Sequence, residues 1–362
     1  MIEINRSRFL QALALARDVV KSKSSLLPVL SCVKLTDDAG GLQIVATDLD
    51  SELTILLPVE KSGKFSALVS VVKLSCFLAL CDGDVVQMEV RNKSLSVRCG
   101  DASCSLMCMD EAEFPASSGL DKMGDSQEFA PLELLEELAT AFCASTDASR
   151  YALCSLFFCR EAGESMNVVA TDGRRLAVRQ LISQGGAFAA MVPTSAVKLM
   201  SAVLRSKLME GAVALGFSDH RVFLLAGAVQ FSGKLIEGSY PNWRQVVPAD
   251  RDGITFEPDR LIGAVERAAA LAQDSVTIEM KGTQVRVLGA TADVGTSEDR
   301  FELELGGVSV VVKVNPEFLL QGLKWCGSRE AVICPGDGME PIVIKPGASG
   351  ARYVVMPLRS SE

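Results

Sequence analysis

The chain has 362 residues, is 48% hydrophobic and 22% charged, and carries a net charge of −9 with one histidine, His220. That length suggests two or three domains, and no apolar run of about 18 residues is present to form a membrane-spanning helix. A lone histidine excludes a His-rich metal site and leaves His-based acid–base chemistry only the turn-like SDHRVF, where a surface turn residue is the plainer reading.

The N-terminus, MIEINRSRFL, lacks the apolar core of a signal peptide. Eleven cysteines, an odd number without a CxxC, argue against a disulfide framework or zinc ribbon. Reduced, buried thiols in a cytoplasmic protein are the expectation. Net acidity argues against coating nucleic acid by overall basicity, but a charge total does not say where Lys and Arg lie.

In chain order, 6–20 (RSRFLQALALARDVV) predicts the first helix, with Phe9, Leu13, Ala16 and Val20 on one face and Arg6 and Arg17 on another. LQIVATD (42–48) reads as a strand, and FSALVSVVKLSCFLAL (65–80) as a strand breaking into a second helix. Two short strand runs, VVQMEV and SLSVRC, follow. The series then restarts. PLELLEELATAFCAS (131–145), MNVVATD (166–172), FAAMVPTSAVKLMSAV (188–203), and AVALGF with RVFLLA repeat the order. A third series runs PDRLIGAVERAAALA (258–272), TQVRVLGAT (283–291), VSVVVKVNPEFLLQGL (308–323), and AVICP with PIVIK. Pro131 and Pro258 sit where a first-turn proline is tolerated.

Three units of roughly 120 residues are far longer than solenoid modules and are domain-sized. Turn-rich stretches at 115–128 and 247–257 suit linkers, giving expected domains 1–121, 122–247 and 248–362. The fold class is α+β: three tandem similar domains, each with two helices and antiparallel sheets.

Within this frame ATDGRRLAV (170–178), KLIEGSYPNWRQVVP (234–248) and YVVMPLR (353–359), supported by LLPVLSCVKL and RYALCSLFF, resemble the β-subunit family of bacterial DNA polymerase III, the sliding clamps. The likeness spans the whole chain. It implies a head-to-tail homodimer closing into a ring of six domains, with helices lining the hole and sheets outside. By the same resemblance, duplex DNA would be encircled without sequence specificity. Implied partners are the replicative DNA polymerase alpha subunit, the clamp loader and other clamp-motif proteins. Neither a membrane partner nor a catalytic role is implied, and no cofactor, metal or nucleotide site is expected. Acidic residues outside and basic residues inside would reconcile net acidity with DNA binding, since backbone-directed attraction fixes no register.

Residue by residue, the resemblance assigns a partner-peptide pocket. Leu153, Thr171, Gly173, Arg174, Arg175 and Leu176 come from the middle repeat, and Pro241 and Val246 from the stretch after it. Asn315, Phe318, Met339, Val354, Met356, Pro357 and Leu358 come from the last repeat. Asp172-Gly173 reads as a turn, Asp172 and Arg175 as its hydrogen-bonding pair, and Leu176 as an apolar side chain offered to a docking groove. Lys21, Lys23, Arg150, Tyr151 and Lys198 are the implied DNA contacts, among a wider basic set of Arg6, Arg8, Arg17, Lys73, Arg205, Lys207 and Lys324.

Several positions depart from the family pattern. Arg174 stands where many relatives have His, Phe318 where Tyr is common, Gln245 where some have Arg, and Ser24 where many have Arg. The edge GDASCSLMCM lacks the arginines relatives use against an acidic partner edge, so Leu106 against Leu271 is the expected interface pair. Ser360–Glu362 extend past the usual end.

Two rival readings compete with this one. An enzyme would need a motif such as GxSxG, a P-loop or GxGxxG, none of which is present. Asp48 and Asp172 recur at equivalent repeat positions, which suggests a shared turn and not an acid–base pair. A three-domain scaffold that never encircles DNA is the alternative to the ring.

Overall fold

The computed structural model describes residues 1–362 except 21–26, 39, 64, 118–123, 125, 184, 328–329, 348–349 and 360–362. Six helices are described: α1 (Arg6–Val19), α2 (Val71–Ala79), α3 (Pro131–Ala139), α4 (Thr194–Arg205), α5 (Pro258–Ala269) and α6 (Pro316–Cys326). Each begins in a segment where the sequence predicts one, and α4 and α6 run past the predicted ends at 203 and 323 to Arg205 and Cys326. Three begin at a proline whose missing N–H costs nothing in a first turn. Asn5 and Asn315 cap α1 and α6, their Oδ1 atoms accepting from Arg8 N and Phe318 N at 3.0 Å.

Two compact units share the chain. One comprises residues 1–139 and 192–237, the other 140–191 and 238–362. The first holds a four-stranded sheet in the order Ile2–Asn5, Val85–Arg91, Ser94–Cys99, Ala102–Met107. Its eight-stranded sheet runs Phe65–Ser70, Cys32–Asp38, Gly41–Thr47, Ser51–Leu57, Val229–Lys234, Arg221–Ala226, Val213–Phe217, Ser126–Phe129. Four of these strands come from the first repeat and four from the second, joined where Ile55 pairs with Val229 and Ser51 with Gly233. Phe9, Leu13 and Ala16 of α1 are buried as expected, and α1 packs on α2 and α4.

The second unit repeats the plan. Its four-stranded sheet runs Gly295–Glu302, Gln284–Thr291, Val276–Lys281, Val310–Val314. Its eight-stranded sheet runs Phe188–Pro193, Ser155–Arg160, Met166–Thr171, Arg175–Leu181, Arg352–Val355, Ile342–Pro346, Ala331–Cys334, Ile254–Phe256. Here Arg175–Leu181 of the second repeat pairs with Arg352–Val355 of the third. Backbone pairing therefore runs across the boundaries between repeats, and the compact units do not coincide with single repeats.

Two expectations need correction. The helix predicted to reach residue 145 ends at Ala139 and tightens into a 3₁₀ turn over Thr140–Cys143. Phe142 is drawn instead into a ring cluster, stacked 5.9 Å from Tyr353. Arg6, expected on the face away from the apolar stripe among the basic residues offered to DNA, is half-buried and donates from Nη1 to the Leu78 carbonyl at 3.2 Å. Among the cysteines, Cys32, Cys81, Cys99, Cys143, Cys159, Cys326 and Cys334 are buried, Cys76 is exposed, and all eleven are free thiols. Burial pushes the Cys326 thiol up to about 12. His220 is exposed in the turn between Val213–Phe217 and Arg221–Ala226.

Candidate functional site

Strand Met166–Thr171 ends in the turn that opens ATDGRR, and the turn is built from its own side chains. Thr171 Oγ1 donates to Arg175 O (2.6 Å) and accepts from Gly173 N (3.0 Å). Asp172 Oδ1 accepts from Arg174 N (2.9 Å) and Arg175 N (3.1 Å), while Oδ2 pairs with Arg175 Nε at 3.1 Å. Gly173 takes φ +86°, which glycine adopts without the Cβ penalty. The first repeat makes the same turn: Thr47 Oγ1 donates to Ser51 O (2.9 Å), and Asp48 Oδ1 accepts from Asp50 N (3.1 Å) and Ser51 N (2.7 Å). Asp48 and Asp172 thus share a structural role, as their repeat positions suggested.

Antiparallel pairing brings the C-terminal segment to this turn. Leu176 lies opposite Val354, and Met356 N donates to Arg174 O at 2.9 Å. The chain then runs on until Leu358 N donates to Lys313 O (2.7 Å), beside Asn315. Arg175 reaches α6 from the other side, its guanidinium 4.5 Å from the Phe318 ring centre and donating to Phe142 O at 3.2 Å. Tyr353 Oη donates to Phe318 O (2.7 Å). Thr171, Gly173, Arg174, Arg175, Leu176, Phe318, Val354 and Met356 are therefore joined by direct contacts, within one compact unit.

Burial separates these residues into floor and rim. Leu176 is 2% exposed and, with Val354, belongs to a buried cluster containing Val169, Val178, Cys334 and Val343. Tyr240, Trp243 and Val247 cover that cluster, and Tyr240 stacks on Phe157 at 4.4 Å. Leu176 is thus a floor residue and not a projecting anchor. Met356 is 42% exposed, and Val246, Met339 and Leu358 are exposed with it. Arg174, Gly173 and Pro241 are exposed, while Leu153, Asn315 and Pro357 are half-buried. Met339 sits on a separate turn, where Asp337 Oδ1 accepts its N–H at 3.0 Å.

The implied DNA contacts are dispersed. Lys21 and Lys23, like Ser24 and Ser360–Glu362, lie outside the described residues. Lys198 is exposed on α4, as are Arg17 on α1, Lys73 on α2 and Arg205 on α4. Tyr151 is exposed, but Arg150 turns toward the peptide turn, donating from Nη1 to Asp172 O at 3.1 Å. Lys324 pairs with Glu266 at 2.7 Å, and Arg8 lies 3.8 Å from Glu210. Leu106 is half-buried opposite Leu95 on an edge strand, and Leu271 is half-buried just after α5.

A cleft of about 430 Å³ lies on the same sheet face, lined by Asn167, Val178, Trp243 and Arg352 among others. Sequence reasoning missed it. The available signal was a single Asn inside the otherwise apolar strand MNVVAT, all six of whose residues are buried.

Comparison with known proteins accounts for the architecture. Family models of the DNA polymerase III beta subunit match in order: the N-terminal domain at residues 1–118, the central domain at 133–242, and the C-terminal domain at 244–359. The chain is 27% identical to the Beta sliding clamp of Caulobacter vibrioides over 99% of both chains. It is 26% identical to that of Synechocystis sp. over 92% of both. In fold it resembles the beta subunit of Streptococcus pyogenes DNA polymerase, with TM-score 0.93, 19% identity, and coverage of 99% of this chain and 100% of that one. The Pseudomonas aeruginosa clamp bound to griselimycin gives TM-score 0.92 at 23% identity, covering 99% of this chain and 98% of that one. Matched along its length by the three successive domains of one subunit, the chain belongs to the DNA polymerase III beta subunit family, the sliding clamps that serve as non-catalytic processivity factors of a DNA polymerase.

Proposed function

We propose that two copies of this chain close head to tail around duplex DNA in the cytoplasm. The exposed surface around Arg174, Met356 and Leu358 would dock short peptides of the polymerase alpha subunit, the clamp loader and other partners. The docking reading is carried by one observation: three segments far apart in sequence meet in one unit while Met356 and Leu358 stay exposed above a buried apolar floor. A leucine–aromatic peptide would bury two apolar side chains there, worth roughly 3–6 kcal/mol before association costs. That is a weak, exchangeable contact, as a shared tether requires. Met adapts its shape to different side chains.

For the ring, we propose that the edge strand Ala102–Met107 of one copy pairs with the edge strand Gly295–Glu302 of the next, adding Leu106 and Leu271 at the seam. Both strands are terminal in their sheets, and unpaired backbone groups on such an edge favour strand addition. We assign domain boundaries at 121/122 and 247/248, a division consistent with the matched segments 1–118, 133–242 and 244–359.

Fluorescence anisotropy with a labelled QLDLF peptide tests the docking surface. The native chain binds, and Met356→Ala weakens binding about tenfold without unfolding the protein. Leu176→Ala is a poorer probe, since emptying a buried leucine site costs about 2–5 kcal/mol of stability. Griselimycin, bound in the P. aeruginosa structure, should displace the peptide. Failure of the native chain to bind either ligand would remove this reading. Retention on circular but not linear DNA tests encirclement, and equal retention would favour a non-encircling scaffold.

A further inference from the structure

The segment Met356-Pro357-Leu358 is bracketed by two cations. Met356 N donates to Arg174 O and Leu358 N to Lys313 O, so the backbone fixes one basic residue at each end. Arg174 is exposed, and Lys313, on strand Val310–Val314, is half-buried. Neither side chain forms an ion pair or a hydrogen bond among the described residues. Arg359, next along the chain, is exposed as well.

The carboxylates of this surface are engaged elsewhere. Asp172 pairs with Arg175 at 3.1 Å and accepts two backbone N–H groups besides. Asp147 lies 3.9 Å from Arg150. On the first turn of α6, Glu317 accepts from Gln321 at 3.0 Å. Asp337 accepts from Met339 N and Glu340 N, and Glu340 pairs with Arg251. Two unpaired positive charges thus flank an exposed apolar strip on a chain whose net charge is −9. The overall acidity repels an acidic peptide, so a preference for one has to come from local cations. Met356 and Leu358 offer cover to an apolar side chain, and the cations beside them offer partners to carboxylates next to it. Two extended residues span about 7 Å, so acids directly flanking the anchors are in range of both cations. A DNA backbone carries the charge but no apolar group for Met356 and Leu358 to cover.

We infer that the docking surface selects peptides whose leucine–aromatic anchors are flanked by Asp or Glu, with Arg174 and Lys313 as the residues that set this specificity. The inference rests on the docking reading and adds the chemistry of the flanking chain. Attraction between exposed charges is screened by salt, whereas apolar anchoring persists.

The test titrates labelled QLSLF, flanked on each side by a pair of Asp, Ser or Lys residues, onto the full chain at low and high salt. One exposed ion pair is worth about twofold in affinity, so at roughly 50 mM salt acidic flanks should bind about fourfold tighter than serine flanks. Lysine flanks should bind more weakly than either. At roughly 500 mM salt the Debye length falls to about 4 Å, and the acidic-to-serine ratio should shrink below about twofold. Arg174→Gln and Lys313→Gln should each lower the low-salt ratio about twofold, and the double variant should abolish it. Arg174→Lys keeps the charge and should keep the ratio. Because every variant is scored by a ratio, a general loss of docking or of folded protein cancels. Acidic and serine flanks that bind alike, or a ratio that survives the double variant, would overturn the charge selection while the docking surface stands. A double variant that loses affinity for duplex DNA but keeps the peptide ratio assigns the cations to DNA and overturns it too. If the folded native chain binds none of the three peptides, both readings fall together.

Discussion

Arg175 holds Phe318: the guanidinium lies 4.5 Å from the ring centre, 5.6 Å from that of Phe142, and 3.1 Å from the Asp172 carboxylate. One side chain, 10% exposed, thus ties the ATDGRR turn to the start of α6. Arg175→Ala leaves the largely buried Asp172 carboxylate without its cation, and should cost about 3 kcal/mol of stability. Loss of the tie should also weaken QLDLF binding. Arg175→Lys should recover only part of both, because a point ammonium cannot stack on two rings and pair with a carboxylate at once. Thermal unfolding and peptide anisotropy on the same variants read the two effects.

The paired turns at Asp48 and Asp172 offer an internal control for backbone strain. Leu49 occupies φ +77° where the second turn has Gly173 at +86°. A left-handed non-glycine residue costs roughly 1–2 kcal/mol, so Gly173→Ala should destabilise by about 1 kcal/mol. The new Cβ would stand 3.4 Å from Arg150 Nη1, which is ordinary contact, so strain and not collision sets the loss. Leu49→Gly should gain up to about 1 kcal/mol, less what the glycine adds in unfolded-chain freedom. Denaturant midpoints of the two variants should move in opposite directions.

Local chemistry made much of this legible. The turn of ATDGRR is written in Thr171, Asp172 and Gly173 themselves, and each helix begins inside a predicted helical segment. What could not be read depends on partners far along the chain. Helix α3 stops early because Phe142 joins Tyr353 and Trp325 in one ring cluster. Leu176 lies beneath the surface and Met356 on it because the segment through Tyr240 and Trp243 covers one and not the other. Arg150 fits the family's DNA-touching loop by sequence, yet its guanidinium is committed to the Asp172 carbonyl. Joining of strands across repeats, as at Leu176–Val354, is likewise invisible to a reading that takes each repeat as self-contained.

Glu298 gives a pH signature. Hydrogen bonds from Arg300 and then Arg286 hold its carboxyl at about 2, against 4.5 for an ordinary glutamate. A carboxyl lowered on folding contributes stability that is complete above its unfolded value, near 4.5, and is lost as pH falls toward 2. A carbon-detected NMR titration should find Glu298 ionised at pH 3.5. In Arg300→Ala its midpoint should rise toward 4.5.

The same cluster bears on ring closure. On strand Gly295–Glu302, Glu298 is neutralised by Arg286 and Arg300, and Asp299 by Arg267, all within one unit. The proposed partner edge, Ala102–Met107, carries no charge. A seam made this way relies on backbone pairing and apolar contact, which salt does not screen. The dimer constant measured by sedimentation should change less than about threefold between roughly 50 and 500 mM salt. Leu106→Glu should dissociate the dimer, since it buries an unpaired carboxylate at the seam.

Basic residues on the helices divide into ion-paired and unpaired ones, which bears on DNA. In the second unit Arg267 pairs with Asp299 and Lys324 with Glu266, while Arg260 is exposed over the Phe301 ring; in the first, Arg8 lies near Glu210. In the first unit Arg17, Lys73, Lys198 and Arg205 are exposed and form no ion pair among the described residues. Unpaired cations are the ones able to displace counterions from phosphates. Lys198→Ala and Arg205→Ala should therefore each reduce the slope of log affinity against log salt by about 1, equally for any duplex sequence. Lys324→Ala should change the slope little, because neutralising that lysine also frees Glu266. Titrations of closed rings on circular duplex at several salt concentrations check this. Equal slopes for all three variants would mean that helix-face cations in the first unit do not meet the DNA.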